Sequence, residues 1–243
     1  MKNPSFRMIV DSYRQHQFVE ELRGEWACVV LYRPLALLIT WIFVRTWIQP
    51  NHVTLMNGVI LFLMLFALFA LEPAQAVLSL CLLAVVYSIL DCVDGSLAQV
   101  QQMQSAMGHY LDFAFDIAYR VILYAGLGYL ADVLSDPILT RVSFLSIGLT
   151  AAWIHTFARL CRVYLQARSS PVAEPADTHP RDARMGVMNF VFSAFSGIDH
   201  TLPLLALICW RFDVLGWLMV WLAAYSLLDF THTQISIFRR LRA

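Results

Sequence analysis

Long apolar stretches constrain the fold of this chain more than any other feature of its sequence. Hydrophobic residues make up 59% of its 243 residues and charged residues only 14%, whereas a soluble domain usually carries about 25% charge. A helix that crosses a bilayer needs about 20 predominantly apolar residues. Six stretches meet that need, at residues 52–71, 76–97, 108–131, 138–165, 188–210 and 214–236. The sequence therefore predicts an all-α integral membrane protein with six transmembrane helices.

The first 48 residues differ from the rest and are predicted to form an N-terminal amphipathic interfacial arm. Residues 28–48 are apolar but are interrupted by Arg33, Pro34 and Arg45. The uninterrupted part, from Pro34 to Val44, would give about 17 Å of helix, which is shorter than a bilayer core of about 30 Å. We expect it to lie along the membrane surface; the alternative is an extra span that buries Arg33. The predicted domains are thus residues 1–48 and a six-span domain at 49–243.

The charges balance overall but are unevenly placed along the chain. Seventeen basic and seventeen acidic residues cancel, so no global field would attract nucleic acid, and none is expected as a partner. Cytoplasmic loops are usually rich in arginine and lysine. If residue 51 is cytoplasmic, the loops on the other side hold only Arg141 and Arg211 as bases. We therefore expect both termini, the turn 98–107 and the loop at about 167–186 to face the cytoplasm.

Two pairs of acidic residues interrupt the second and third apolar stretches. Asp91 and Asp94 lie near the end of one, and Asp112 and Asp116 lie near the start of the next. An acid near the bilayer centre costs about 2.5–3.5 kcal/mol, so four unpaired ones would cost on the order of 10 kcal/mol. The nearest base in sequence, Arg120, cannot balance four acids, but a divalent cation can. The pattern indicates a metal-dependent site at a membrane surface.

Helical spacing predicts that these acids converge. Asp91 and Asp94 are three residues apart, Asp112 and Asp116 four apart, and a short turn makes their helices antiparallel. Ligation by carboxylates alone suits Mg²⁺ or Mn²⁺, with two ions expected. This arrangement favours phosphoryl or phosphate-ester transfer, in which one carboxylate takes a proton from an alcohol. A cation pathway that uses the same acids is the alternative from a different functional class.

The residues from 91 to 116 resemble the signature of the CDP-alcohol phosphotransferases. That family's pattern is D-x2-D-G-x2-A-R-x8-G-x3-D-x3-D, and every spacing in it is kept. The matching residues are Asp91, Asp94, Gly95, Ala98, Gly108, Asp112 and Asp116. Gln99 stands where the family has arginine. Upstream, Arg33-Pro34-Leu35 and Pro50-Asn51-His52-Val53-Thr54 also look like the family, so the resemblance covers residues 27–120 well.

The resemblance implies roles for most of these residues. The implied metal ligands are Asp91, Asp94, Asp112 and Asp116, with Asp116 also the general base on the acceptor hydroxyl. The implied or neighbouring nucleotide-binding residues are Asn51, Thr54, Asp94, Gly95, Ala98, Gln99 and Gly108. The alkoxide would attack the β-phosphorus of the CDP-alcohol, and CMP would leave.

The substrates implied by the resemblance are a CDP-linked donor and an alcohol. The default is CDP-diacylglycerol with a small polar alcohol or its phosphate, in phospholipid synthesis. The alternative is a CDP-polar-alcohol donor with a lipid or polyol acceptor. We expect a homodimer in a bacterial or archaeal cytoplasmic membrane, with the site facing the cytoplasm.

Five further polar residues are candidates for binding the acceptor: Arg120, Arg159, Arg162, Asp199 and His200. Arg120 follows Asp116 by one helical turn and could instead be a partner for a motif carboxylate. Arg159 and Arg162 could bind an acceptor phosphate or serve as ordinary cytoplasmic anchors. His109, beside Gly108, is predicted to point away from the acidic face.

Overall fold

Helices form all of the regular structure in residues 4–136, 142–169 and 197–242, which are the residues that the computed structural model describes. No strand occurs among them, and the prediction of an all-α fold is confirmed. Most of the predicted polar loop at 167–186 lies outside the described residues, as do residues 188–196 of the predicted fifth span.

The N-terminal segment consists of four short helices. They are α1 (Phe6–His16), α2 (Phe18–Gly24), α3 (Trp26–Leu31) and α4 (Arg33–Phe43). Helix α4 has 11 residues, which at about 1.5 Å per residue is too short to cross a bilayer. It coincides with the predicted surface helix, and its position at a membrane surface remains a proposal.

The rest of the described chain consists mainly of long helices. They are α5 (Pro50–Ala70), α6 (Pro73–Gln101), α7 (Ala106–Leu134), α8 (Phe144–Ser169), a 3-10 turn (Gly197–Thr201), α9 (Leu202–Arg211) and α10 (Leu215–Arg242). Helices α5 and α6 both begin with proline, whose fixed φ and missing N–H suit the first helical position. Asp132 caps the start of α8, because its carboxylate accepts from the backbone N–H groups of Phe144 and Leu145.

Four of the described helices are long and apolar enough to cross a membrane: α5, α6, α7 and the part of α8 from Phe144 to Leu165. They correspond to the first four predicted spans. Helix α10 has 28 residues but is not among the helices that are both long and apolar enough. Helix α9 has only ten. The predicted count of six spans therefore remains a proposal.

Helix α6 is the centre of the described fold. It packs against α4, α5, α7 and α9, and its side chains at Leu80, Val93 and Leu97 are fully buried. Helix α8 packs between α7 and α10. At the α7–α8 contact, a Cβ on Gly128 would clash with the backbone of Phe144, and one on Gly148 would clash with that of Tyr124. Glycine there allows two backbones to touch, as in many membrane helix pairs.

A tight turn between α6 and α7 positions the two acidic segments. Gln102 ends α6 with a left-handed backbone, at φ 54°. Ser105 then caps α7 by accepting a hydrogen bond from the N–H of Gly108 at 3.0 Å. The turn makes α6 and α7 antiparallel neighbours, so the acids near the end of α6 face those near the start of α7.

Candidate active site

Three of the four motif carboxylates converge at one place. Asp91 and Asp94 on α6 and Asp112 on α7 each offer an oxygen atom, and these atoms all lie within 4.8 Å of one another. The buried carboxylate of Asp94 accepts a hydrogen bond from the hydroxyl of Thr54 on α5 at 2.9 Å. Three like charges this close repel one another unless a cation lies among them. An all-oxygen donor set of this kind fits a hard divalent cation.

Asp116 lies outside this carboxylate group. It forms ion pairs with Arg120, one turn along α7, and with Arg159 on α8. The sequence predicted Asp116 as a fourth metal ligand; it is not in the 4.8 Å group but lines a cavity together with Asp91, and its role as a ligand stays a prediction. Helix α8 carries Arg159 to a carboxylate 43 residues earlier in the chain. The spacing of the sequence did not indicate that Arg159 would contact Asp116.

Two cavities meet at the carboxylate group. The Asp94 cavity has a volume of about 200 Å³ and is lined by Asp94 and Asp112. Most of the predicted nucleotide-binding residues also line it: Asn51, Thr54, Gly95, Ala98 and Gly108. Gln99 is not among its lining residues, whereas His109 is. His109 is exposed, and the expectation that its side chain points away from the acidic face stays a prediction.

Gly95 leaves open space in the wall of the Asp94 cavity. A Cβ added there would meet no atom within 4 Å, so the backbone of α6 is open to a bound group at this point. The space around Gly108 is smaller, because a Cβ there would lie 3.0 Å from the Ser105 hydroxyl and 3.1 Å from the Asn51 side-chain oxygen. These two glycines of the motif thus border the cavity for different reasons, one by leaving space and one by allowing close packing.

The Asp116 cavity is smaller, at about 80 Å³. It is lined by Asp91 and by four of the predicted site residues: Asp116, Arg120, Asp199 and His200. Asp199 lies 3.6 Å from the Nε of Arg120 and accepts a hydrogen bond from the Tyr124 hydroxyl. Asp91 lines this cavity while Asp94 and Asp112 line the other, so the carboxylate group lies between them.

Several residues of the Asp116 cavity were missed by the sequence reasoning: Glu25, Arg33, Tyr87, Tyr119 and Tyr124. Tyr87 lies four residues before Asp91 and thus on the same helix face, a signal that could have found it. Glu25 offered no such signal, because the packing of α3 against the 3-10 turn brings it there.

Arg162 lines neither cavity. Its guanidinium lies 3.3 Å from the carboxylate of Asp229 and donates to the hydroxyl of Thr233 at 2.7 Å, both on α10. Three of the five candidate acceptor residues thus line the Asp116 cavity: Arg120, Asp199 and His200. Arg159 instead pairs with Asp116, and Arg162 lies at the α8–α10 contact.

Arg33 attaches the N-terminal helices to α6 directly behind the carboxylate group. Its guanidinium pairs with Glu21 and donates to the carbonyl of Cys92 and the hydroxyl of Ser96, each at 2.9 Å. Glu21 also accepts a hydrogen bond from the Tyr13 hydroxyl at 2.9 Å.

Two tyrosines near Arg33 stay protonated at neutral pH. Burial is the largest cause that raises the pKa of Tyr13, and the Glu21 carboxylate raises it further. Burial is also the main cause that raises the pKa of Tyr32 to about 12. Both phenols therefore remain hydrogen-bond donors.

Helices of membrane-spanning length that enclose a carboxylate-rich site define an integral membrane protein with a candidate metal centre. A family model described as CDP-alcohol phosphatidyltransferase matches residues 47–228, well over half of the chain. The chain therefore belongs to the CDP-alcohol phosphatidyltransferase family, whose members are transferases of substituted phosphate groups. A comparison with curated proteins finds no significant match.

Proposed function

We propose that this enzyme transfers a phosphatidyl group from CDP-diacylglycerol to the hydroxyl of a small polar alcohol or its phosphate, releasing CMP, in phospholipid synthesis. One observation carries the proposal: the carboxylates of Asp91, Asp94 and Asp112 converge where two cavities meet. A transferase needs two substrates beside one charged centre, and this arrangement provides a space for each.

The Asp94 cavity is the proposed site of the nucleotide part of the donor. It is the larger of the two, and it contains the open backbone at Gly95 where a diphosphate could approach. Asn51 and Thr54 contribute polar side chains to its wall. Thr54 also donates to Asp94, which fixes that carboxylate at the border between the nucleotide and the carboxylate group.

Asp91, Asp94 and Asp112 are the proposed ligands of Mg²⁺ or Mn²⁺, with two ions expected. The family is generally dependent on divalent metals, and the donor set fits such ions. When bound, the ions would neutralise the diphosphate charge as it develops in the transition state.

Asp116 is the proposed general base. It lines the Asp116 cavity, where the acceptor would lie, and its carboxylate would take the proton of the acceptor hydroxyl. The acceptor oxygen then forms a bond to the β-phosphorus, the bond from that phosphorus to the CMP oxygen breaks, and CMP carries away the electron pair. Arg120 and Arg159 supply the positive charge that a buried carboxylate needs. The resemblance also implies contact of Asp116 with the second ion; its place in the wall of the Asp116 cavity, outside the group of the other three carboxylates, supports the proton-accepting role.

Release of CMP tests the proposal. The purified full-length protein, reconstituted with lipid, is given CDP-diacylglycerol, CDP-choline or CDP-glycerol with a panel of alcohols, with Mg²⁺ or Mn²⁺ and with a chelator. We expect CMP and a phospholipid product from CDP-diacylglycerol, and none in the chelator. Activity only with a CDP-polar alcohol and a lipid or polyol acceptor would show that the polar alcohol, and not the lipid, is carried by the CDP-linked donor. Cation flux into protein-containing liposomes without CMP release would contradict the transferase reaction itself.

We further propose that residues 49–243 form the catalytic domain of a homodimer, in a bacterial or archaeal cytoplasmic membrane. The site would face the cytoplasm, where CDP-linked substrates are made. The uneven distribution of arginine between alternate loops supports that orientation. Cross-linking within native membranes, followed by measurement of the product's mass, tests the dimer.

A further inference from the structure

The charges around the Asp116 cavity narrow the class of acceptor. Four carboxylates line it, from Glu25, Asp91, Asp116 and Asp199, against two guanidinium groups. Asp91 belongs to the proposed metal ligands, which still leaves three carboxylates for two guanidiniums. His200 lies 3.8 Å from Glu25 and adds at most one positive charge. Ions held by Asp91, Asp94 and Asp112 would face the diphosphate of the donor, so the described side chains leave the cavity no surplus of positive charge to offer an acceptor anion.

Both guanidinium groups of the described wall lie in ion pairs with carboxylates, although the Nε of Arg120 makes no hydrogen bond. Arg33 is paired with Glu21, and Arg120 is paired with Asp116 and Asp199. The two arginines of α8 nearest to this region are paired too, Arg159 with Asp116 and Arg162 with Asp229. A phosphate monoester, which carries about 1.5–2 negative charges at neutral pH, would have to compete with these carboxylates for any of the four arginines.

The hydroxyl of Tyr87 is a polar group of the cavity wall without a hydrogen-bond partner among the described residues. The residue is 2% exposed and lines the cavity. The ring is held in place by stacking on Tyr119, with centroids 4.3 Å apart and planes inclined by 5°. Buried hydroxyls are normally hydrogen-bonded, so this one is available to a group that enters the cavity.

The dimensions of the cavity suit a compact molecule. Its volume of about 80 Å³ is less than half of the 200 Å³ or so of the Asp94 cavity. Hydroxyl groups can donate to the surplus carboxylates and accept from Tyr87, and an ammonium group would be matched by the same carboxylates. A neutral or cationic alcohol therefore satisfies the polar groups of the wall, whereas an anionic one does not.

We infer that the acceptor is an unphosphorylated small alcohol, a polyol or an amino alcohol, and that the hydroxyl of Tyr87 binds it. The inference rests on the proposed function and narrows its acceptor. The transfer itself is unchanged: the acceptor hydroxyl loses its proton to Asp116, its oxygen bonds to the β-phosphorus, and CMP leaves.

Matched pairs of acceptors test the charge of the substrate. CMP release from CDP-diacylglycerol is measured with glycerol against glycerol 3-phosphate, inositol against inositol 1-phosphate, and serine against phosphoserine, with choline and ethanolamine added. We expect the best unphosphorylated alcohol to exceed every phosphorylated one in kcat/KM by at least about tenfold. A phosphorylated acceptor that is preferred would overturn the inference and leave the proposed function intact. If no alcohol released CMP, the proposed function would fail, and the inference with it.

Tyr87→Phe tests the residue, because it keeps the stacked ring and removes only the hydroxyl. We expect the KM for the preferred acceptor to rise about five- to tenfold, as for loss of one hydrogen bond, with the KM for CDP-diacylglycerol and the thermal midpoint unchanged. Tyr110→Phe, at an exposed tyrosine outside both cavities, is the matched control and should alter neither KM. An unchanged acceptor KM in Tyr87→Phe, or an equal change in both KM values, would remove Tyr87 from the acceptor site.

Discussion

Asp116 differs from the other three motif carboxylates in its neighbours. Asp91, Asp94 and Asp112 lie against one another, whereas Asp116 lies against two arginines. The same residue type at regular spacing therefore meets two electrostatic environments, which indicates two roles. Carboxylates that repel one another suit a cation, and a carboxylate held by guanidiniums beside a cavity suits contact with a substrate.

Asp116→Asn should abolish turnover and leave metal binding largely intact. The amide cannot accept the acceptor's proton, and the loss of a general base typically lowers kcat by about 10²–10⁴-fold. Asp91→Asn or Asp94→Asn should instead weaken binding of Mn²⁺, measured by titration of the purified protein. The base assignment would be wrong if Asp116→Asn kept a kcat near that of the wild type.

Gln99→Arg should be tolerated, because Gln99 does not line the Asp94 cavity although its neighbour Ala98 does. On a helix, consecutive residues are rotated by about 100°, so position 99 need not face the carboxylate group. We expect the KM for CDP-diacylglycerol to stay the same or fall. Gln99→Lys is the matched control, since it adds a charge without the planar fork of arginine. Loss of metal binding in Gln99→Arg would show that position 99 packs against the carboxylates.

Among the elements, the N-terminal helices are joined to the rest of the fold by one buried arginine as well as by the packing of α4 on α6 and of α3 on the 3-10 turn. Arg33 joins Glu21 of α2 to the carbonyl of Cys92 and the hydroxyl of Ser96 on α6. From the sequence, burial of Arg33 was expected only in the alternative in which residues 28–48 form an extra span. The structure buries it within the protein instead, in a helix of 11 residues.

Arg33→Ala should destabilise the protein by about 3 kcal/mol, the usual cost of removing one partner from a buried ion pair. Glu21 would lose its guanidinium, and two acceptors on α6 would lose a donor. Arg33→Lys should recover part of the loss, since an ammonium keeps the charge but not the forked geometry. Arg7→Ala, which removes an exposed pair with Asp11, should change the thermal midpoint little. Equal midpoints for Arg33→Ala and Arg7→Ala would contradict the anchoring role.

The sequence predicted the first four spans and the convergence of four acids, three of which lie together in the structure, because both predictions depend on local spacing. Apolar runs define helices of known length, and residues three or four apart share a face. It could not reveal that Arg159 meets Asp116 or that Glu25 reaches the Asp116 cavity, since both contacts depend on how distant helices pack. The role of Gln99 also stays a prediction, for the family's arginine gives no guide to what glutamine does.

For the whole molecule, the outward surface of α5 shows what a membrane environment requires. Leu55, Val59, Phe62, Phe66 and Phe69 recur every three or four residues and are all more than half exposed. Because α5 is apolar on every side, its sequence did not indicate which face packs inward. The packing assigns the inner face to α6 and α7 and leaves this stripe for lipid or another apolar surface.

The orientation of the whole molecule predicts which segments are accessible from outside the cell. With both termini cytoplasmic, Pro175→Cys in the long polar loop should resist a membrane-impermeant thiol reagent applied to intact cells. Glu72→Cys, in the turn between α5 and α6, should react and serves as the control. The parent protein, which has five cysteines, gives the background. Labelling at position 175 but not at 72 would reverse the orientation or change the number of spans.

The placement of the carboxylate group between two cavities has a consequence for the order of events in catalysis. If the two cavities hold donor and acceptor as proposed, both can be resident together, and the phosphatidyl group can pass directly from one to the other. A ternary complex of this kind gives intersecting rather than parallel lines in double-reciprocal plots. One direct displacement inverts the configuration at a chiral phosphorus, whereas two successive displacements through a covalent phosphatidyl-enzyme would restore it. The geometry of the site thus favours inversion, with no nucleophile of the protein taking part.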